Sequence, residues 1–127
     1  MAIIIDNQYF DVHIIDLERS ADFVDKYAER SKNNAELKRE LIGVFFNYSL
    51  KIGVVKDMDT YNRLYNLLSK PIEFHTVTLP GSNGDYTFKA YVSGLKDKCM
   101  LARDGNNVFY ELTVRFIAKS PARIKGG

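Results

Sequence analysis

Cysteine is almost missing from this chain. Cys99 is the single copy, so an internal disulfide and a cysteine-built metal cluster are both excluded. Histidine is nearly as scarce, with only His13 and His75, so a nucleophilic Cys99 has little choice of activating base. Glu73 and His75 lie two apart on one face of a strand, but no further His or clustered Cys completes a site. No metal and no cofactor is therefore expected, and His75 is read as an ordinary sheet residue. Two glycine-bearing stretches read as turns between strands. Neither "GSNGDY" nor "DGNN" leads into a helix with the lysine and hydroxyl of a phosphate loop, and no Gly-x-Ser-x-Gly elbow occurs. Charge of one sign is also lacking. A net charge of +2 does not by itself imply nucleic acid or an anionic membrane. No apolar run approaches the length that spans a bilayer. The N-terminal "MAIIIDNQYF" has no basic region of a secretory signal, which gives the expectation of synthesis in a reducing cytoplasm.

What is present suits a sheet. Tryptophan is absent, but eight Tyr and eight Phe occur in 127 residues, and aromatic rings pack well on pleated surfaces. The length points to a single domain over 1–127 with a core of its own. Charge is unevenly spread. Residues 1–60 carry 8 Lys/Arg and 11 Asp/Glu, whereas residues 61–127 carry 10 and 5.

Periodicity places the elements. "IIID" at 3–6 starts a strand, and Asn7-Gln8 can turn the chain. In "YFDVHIIDLERS" the apolar parity flips near Ile14–Ile15, the mark of a β-bulge. "GVFFNYSLKIG" alternates strictly, with Val44, Phe46, Tyr48, Leu50 and Ile52 on one face, and Ile42 extends that set. Met58, Tyr61, Leu64, Tyr65 and Leu68 then fall at helical spacing. Asp57 is the natural N-cap and Pro71 the stop, which predicts a helix over about 57–69. "IEFHTVTLP" at 72–80, "YTFKAYVSG" at 86–94, a short "KCMLAR" strand and "VFYELTVRFIA" complete the strands, with "GSNG" and "DGNN" as turns.

Residues 18–40 break this pattern. They are dense in charge of both signs and read as a long polar insertion. A short helix over 21–29 is one possibility, with Ser20 as N-cap and Phe23 and Tyr27 four apart; a solvated loop is the other. The tail over 119–127 is basic and is expected to be flexible. The predicted fold is mainly β (α+β): an antiparallel β-sandwich or partly closed barrel of about seven strands with one flanking helix.

Four stretches carry a resemblance: "YFDVHIIDLERS", "DKYAERS…LKRELIGVFFNYSLKIG", "YNRLYNLLSKPIEFHTVTLPGSNGDYTFKAY" and "FYELTVRFIAKSPAR". Over most of its length the chain resembles small structural tail proteins of tailed phages and prophages. The strand–helix–strand–strand run also looks like the fold shared by tail-tube and distal-tail proteins. The resemblance implies a non-enzymatic virion component of the tube, tail tip or baseplate. It would be made in the bacterial host cytoplasm and act as a ring-type homo-oligomer or by docking onto other tail proteins. It also implies that the loop between early strands, here 18–40, reaches a neighbouring subunit. On this view the contact candidates are Lys26, Tyr27, Arg30, Lys32, Lys38, Arg39, Phe45, Phe109, Arg123 and Lys125, with no membrane and no sequence-specific nucleic acid as partner. Two alternatives stay open. One is a single-stranded nucleic-acid-binding barrel using Tyr91, Phe45 and Phe109. The other is a small ligand-binding or enzymatic barrel using Glu73, His75 and nearby tyrosines.

Overall fold

The structure is a computed structural model that describes residues 2–55, 57–105 and 107–127. Its strands are β1 (Ala2–Ile5), β2 (Gln8–Asp11), β3 (Ile14–Arg30), β4 (Leu37–Ile52), β5 (His75–Leu79), β6 (Tyr86–Met100), β7 (Val108–Ala118) and β8 (Arg123–Ile124). Among the described residues a single helix, α1 (Met58–Leu68), sits between β4 and β5. All strands join one antiparallel sheet in the order β2-β1-β5-β6-β7-β4-β3, with β8 as a further partner of β4. β2 and β3 stand at opposite ends of that order, yet only Val12 and His13 join them. Two residues span at most about 11 Å between the flanking Cα atoms, so the sheet has to curl until its ends approach. The result is a half-barrel, in agreement with the mainly β fold and single flanking helix expected.

Alternation selects the inner face. The row Leu17–Leu50–Val114–Leu95 runs across β3, β4, β7 and β6 in register, and all four residues belong to the core or pack on it. Ile3, Ile5, Phe10, Val77 and Leu79 line the other strands. The helix fills the concavity with Tyr61, Leu64, Leu67 and Leu68. It starts where expected, because Asp57 accepts from the Asp59 amide at 3.0 Å and the Thr60 hydroxyl at 2.8 Å. The Thr60 hydrogen bond, ahead of the Asp59 amide, holds the Asp57 carboxyl below its usual pKa. Tyr61 points its hydroxyl at Asp97 and donates to it at 2.5 Å. Burial first, and the neighbouring carboxylate second, push that phenol well above its usual pKa.

The bulge at Ile14–Ile15 is present as a register shift between Ile14 and Asp16. The first turn falls one residue earlier than expected, on Asp6-Asn7, both at positive φ (51° and 66°), the primed geometry that suits a two-residue hairpin. Residues 86–100 form one strand instead of two, because shifts at Val92/Gly94 and Lys96/Lys98 absorb the parity change without ending the ladder. β5 starts only at His75, after a helix exit in which Ile72 donates to the Lys70 carbonyl. The β6–β7 turn bends at Gly105, with φ of +82°; Asn106 of the expected "DGNN" turn lies outside the described residues.

The largest correction concerns 18–40. It is neither a helix over 21–29 nor a loop, but the body of a β-hairpin in which Arg19–Arg30 pair with Leu37–Tyr48. A short helix there would bury nothing with Phe23 and Tyr27, whereas the ladder pairs the backbone of residues rich in aromatic and β-branched side chains. Ile42, expected on the inner face, is 48% exposed. The ladder skips it, pairing Gly43 with Val24 and Leu41 with Asp25.

Candidate functional site

The β3–β4 hairpin extends well past the core. β4 pairs with β7 only over Tyr48–Ile52 and with β8 only at Gly43 and Val44. Among the described residues its one strand partner from Leu37 to Ile42 is β3, and β3 pairs with no strand but β4. The outer part is thus a two-stranded arm. Tyr27, Leu37 and Ile42 are exposed on it, and Phe23 and Val24 are exposed at its root, opposite Val44 and Gly43, where β8 also pairs. Exposed apolar groups on a chain segment with no core beneath it mark an interaction surface more often than isolated surface apolar residues do.

Local chemistry shapes the arm. At its tip the Ser31 amide donates to the Glu36 carbonyl at 2.8 Å and the Ala35 amide to the Ser31 carbonyl at 2.9 Å. Arg30 Nη1 adds a bond to the Ala35 carbonyl at 3.1 Å. Asn34 Oδ1 accepts from the Glu36 amide at 3.1 Å, the short-range bond that makes Asn a turn residue. Midway, Arg39 pairs with Asp25 and its guanidinium lies 5.9 Å from the Phe23 ring centroid. At the base, Asn47 ties three strands together: its Nδ2 donates to Asp22 and its Oδ1 accepts the Ala118 amide at 2.8 Å. The C-terminal tail is not detached. Ala122 donates to the Val44 carbonyl at 2.8 Å, and Arg123 stands opposite Val44. Gly43 makes this approach possible, because a Cβ there would lie 2.7 Å from the Arg123 carbonyl oxygen and 2.9 Å from Pro121 Cβ.

Most of the contact candidates therefore gather on one structure. Lys26 is the residue skipped at a bulge, Tyr27 faces Glu40, Arg30 faces Leu37, Lys38 faces Glu29 and Arg39 faces Ala28. Lys32 is in the tip turn. Between residues 26 and 39, five Lys/Arg stand against Glu29 and Glu36, so the outer arm is basic. Phe45 is half-buried opposite Asp22 near the base, and Arg123 and Lys125 follow the docked tail beside it. Phe109 is separated from this group. It pairs with Cys99 and stacks on Tyr61, ring centroids 6.4 Å apart, so it covers the helix. Sequence reasoning missed Asn47, whose position on the polar parity of β4 concealed a structural bond.

The residues once considered for ligand chemistry lie elsewhere. His75 is buried with Nδ1 2.6 Å from Asp6 Oδ2, and the other Asp6 oxygen accepts the Thr76 amide at 2.8 Å. This pair locks the β1–β2 turn onto β5. Glu73 is exposed outside the strand. Among the described residues no group of three or more His, Cys, Asp or Glu is placed to hold a metal ion, and no helix is long and apolar enough to cross a membrane. In comparison with known proteins, no family model matches the chain, and no curated protein matches it either.

Proposed function

We propose that this protein is a non-enzymatic structural component of a phage or prophage tail, in the tube, tip or baseplate, and that it works by assembling with copies of itself or docking onto other tail proteins. The observation that carries the reading is the two-stranded arm. Its apolar side chains Tyr27, Leu37 and Ile42, and Phe23 at its root, are exposed, and among the described residues the outer edge of β3 has no strand partner. A free strand edge is a template for pairing with another chain.

The two sheet edges are treated differently, which supports a directed contact. β2 is four residues long, and Arg63 of α1 donates to its Tyr9 carbonyl at 3.2 Å while stacking 4.7 Å from the Phe10 ring centroid. That edge is short and covered. β3 is 17 residues long and carries dense charge, a device that discourages indiscriminate edge pairing while leaving a charge-matched partner free to bind. The reading is tested by light scattering behind a sizing column, across protein concentration and with tail partners encoded nearby. Phe23→Ser with Tyr27→Ser is expected to abolish assembly while leaving the circular dichroism spectrum unchanged. Undiminished assembly of a folded double variant overturns it.

A further inference from the structure

The ladders also order the outer face of the sheet. Asp16 stands opposite Lys51, Lys51 opposite Thr113, and Thr113 opposite Lys96. The next outer row is Glu18, Ser49, Arg115 and Gly94. Residues opposite one another share a face, and these rows alternate with the buried row of Leu17, Leu50, Val114 and Leu95. The outer face is therefore polarised. Asp16, Glu18 and Asp22 lie along β3, and Lys96, Arg115, Lys89 and Lys119 lie along or just past β6 and β7. Among the described residues no Lys or Arg is ion-paired with that acidic strip and no carboxylate with that basic strip. Glu111, the acid nearest the basic strip, is already engaged by Lys98 at 2.9 Å and Lys51 at 3.8 Å.

We infer that this face binds a second copy of the chain, the acidic strip of β3 on one copy resting on the basic strip of β6–β7 on the other, and the reverse across a two-fold axis. Three features carry it. β3 and β6 are three strands apart in the order β6-β7-β4-β3, about 14 Å, so an axis along the strands between β4 and β7 lays β3 of each copy over β6 of the other, setting the row of Asp16 against the row of Lys96, while Arg115 on β7 lies one strand nearer the axis. Lys119 donates its amide to the Lys89 carbonyl at 2.8 Å, which sets the two residues side by side, with the Lys119 ammonium 4.9 Å from the Phe74 ring centroid, so this end of the strip carries two lysines that among the described residues no carboxylate pairs. Between the strips lies an open hollow of about 350 Å³ whose lining joins Ser20, Asn47 and Ser49 to the charged Glu18, Arg19 and Arg115. A nucleic acid fits less well, because the acidic strip on the same face repels a phosphate backbone. The inference rests on the self-assembly reading and adds a contact separate from the arm, so either can fail alone.

The test is sedimentation of the full-length chain at about 50 mM and 500 mM salt, which brackets strong and weak screening. Wild type is expected to self-associate, with affinity falling at least about tenfold at the higher salt. Reversing one strip, by Asp16→Lys with Glu18→Lys or by Lys96→Glu with Arg115→Glu, is expected to weaken association about tenfold or more. All four changes in one chain are expected to restore it, a rescue that misfolding cannot mimic. Several results overturn the inference: a wild type monomeric at both salts, reversals without effect, or a four-fold variant that stays dissociated. It is equally overturned if reversing the basic strip abolishes binding of a single-stranded oligonucleotide while self-association is unchanged. If strip reversals do nothing and Phe23→Ser with Tyr27→Ser abolishes assembly, only the face fails; if neither changes assembly, the arm reading fails as well.

Discussion

Near Leu17 and Leu50 the β3–β4 ladder lies over the core; near Arg30 and Leu37 the same ladder stands away from it. At the first place Leu50 is fully buried, and β7 pairs along the far side of β4. At the second, Leu37 is 54% exposed and β3 is the sole strand partner. Hydrogen-bonded pairing is continuous apart from the bulges, so pairing alone does not distinguish the halves. What differs is support. A two-stranded ribbon without a face to bury is marginal in water, and its outer half persists here as an extension of a ladder already anchored by Asn47 and the docked tail.

The comparison can be broken most directly by truncating one leucine in each half. Leu50→Ala is expected to cost about 2–5 kcal/mol in chemical denaturation, because it opens a cavity in a packed core. Leu37→Ala is expected to stay within about 0.5 kcal/mol. Equal costs would mean that the arm folds against something in the isolated chain. Asp57→Ala, at the start of the helix that fills the concavity, is expected to lower the denaturation midpoint by less than Leu50→Ala does, because it leaves the Asp59 amide and Thr60 hydroxyl without their acceptor.

Two further measurements sharpen the boundary between the halves. Gly43→Ala places a Cβ against the tail backbone and is expected to release residues 121–124, read as faster hydrogen exchange at Ala122 and faster tryptic cleavage after Arg123. Unchanged exchange at Ala122 would show that the tail does not depend on that approach. On the body side, the Tyr61 phenol has a raised pKa, so the folded state favours its neutral form. A group of that kind contributes stability fully below its unfolded pKa, about 10, and loses it as pH rises toward the folded value. Stability should therefore fall above about pH 10, and Tyr61→Phe should flatten that part of the profile. The smallest effect expected is at the half-buried Glu111, whose carboxyl is held below its usual pKa chiefly by its hydrogen bond with Lys98. Its contribution is present above the unfolded pKa, fades as pH falls through the folded one, and should be reduced by salt.

Strict alternation in "GVFFNYSLKIG" and "VFYELTVRFIA" made the inner face legible, since burial of one face leaves a period-two record. The helix was legible for the same reason at its own period, and its cap at Asp57 was written in one residue. The arm was not. Its apolar positions are sparse and bury nothing, so no periodic signal marks it, and its strand character comes from pairing with residues many positions away. Asn47 and Asp6 were missed for a related reason: each bonds a group about 70 residues distant.

Composition, alternation and cap chemistry thus determined by themselves that this chain forms an antiparallel sheet with one flanking helix, because burial and capping act on neighbours along the sequence. Only the tertiary structure decided that 18–40 is a projecting hairpin, that the tail docks beside Gly43, and that the acidic and basic halves of the sequence share one outer face. Those features depend on strand order and register, which arise from contacts between distant residues.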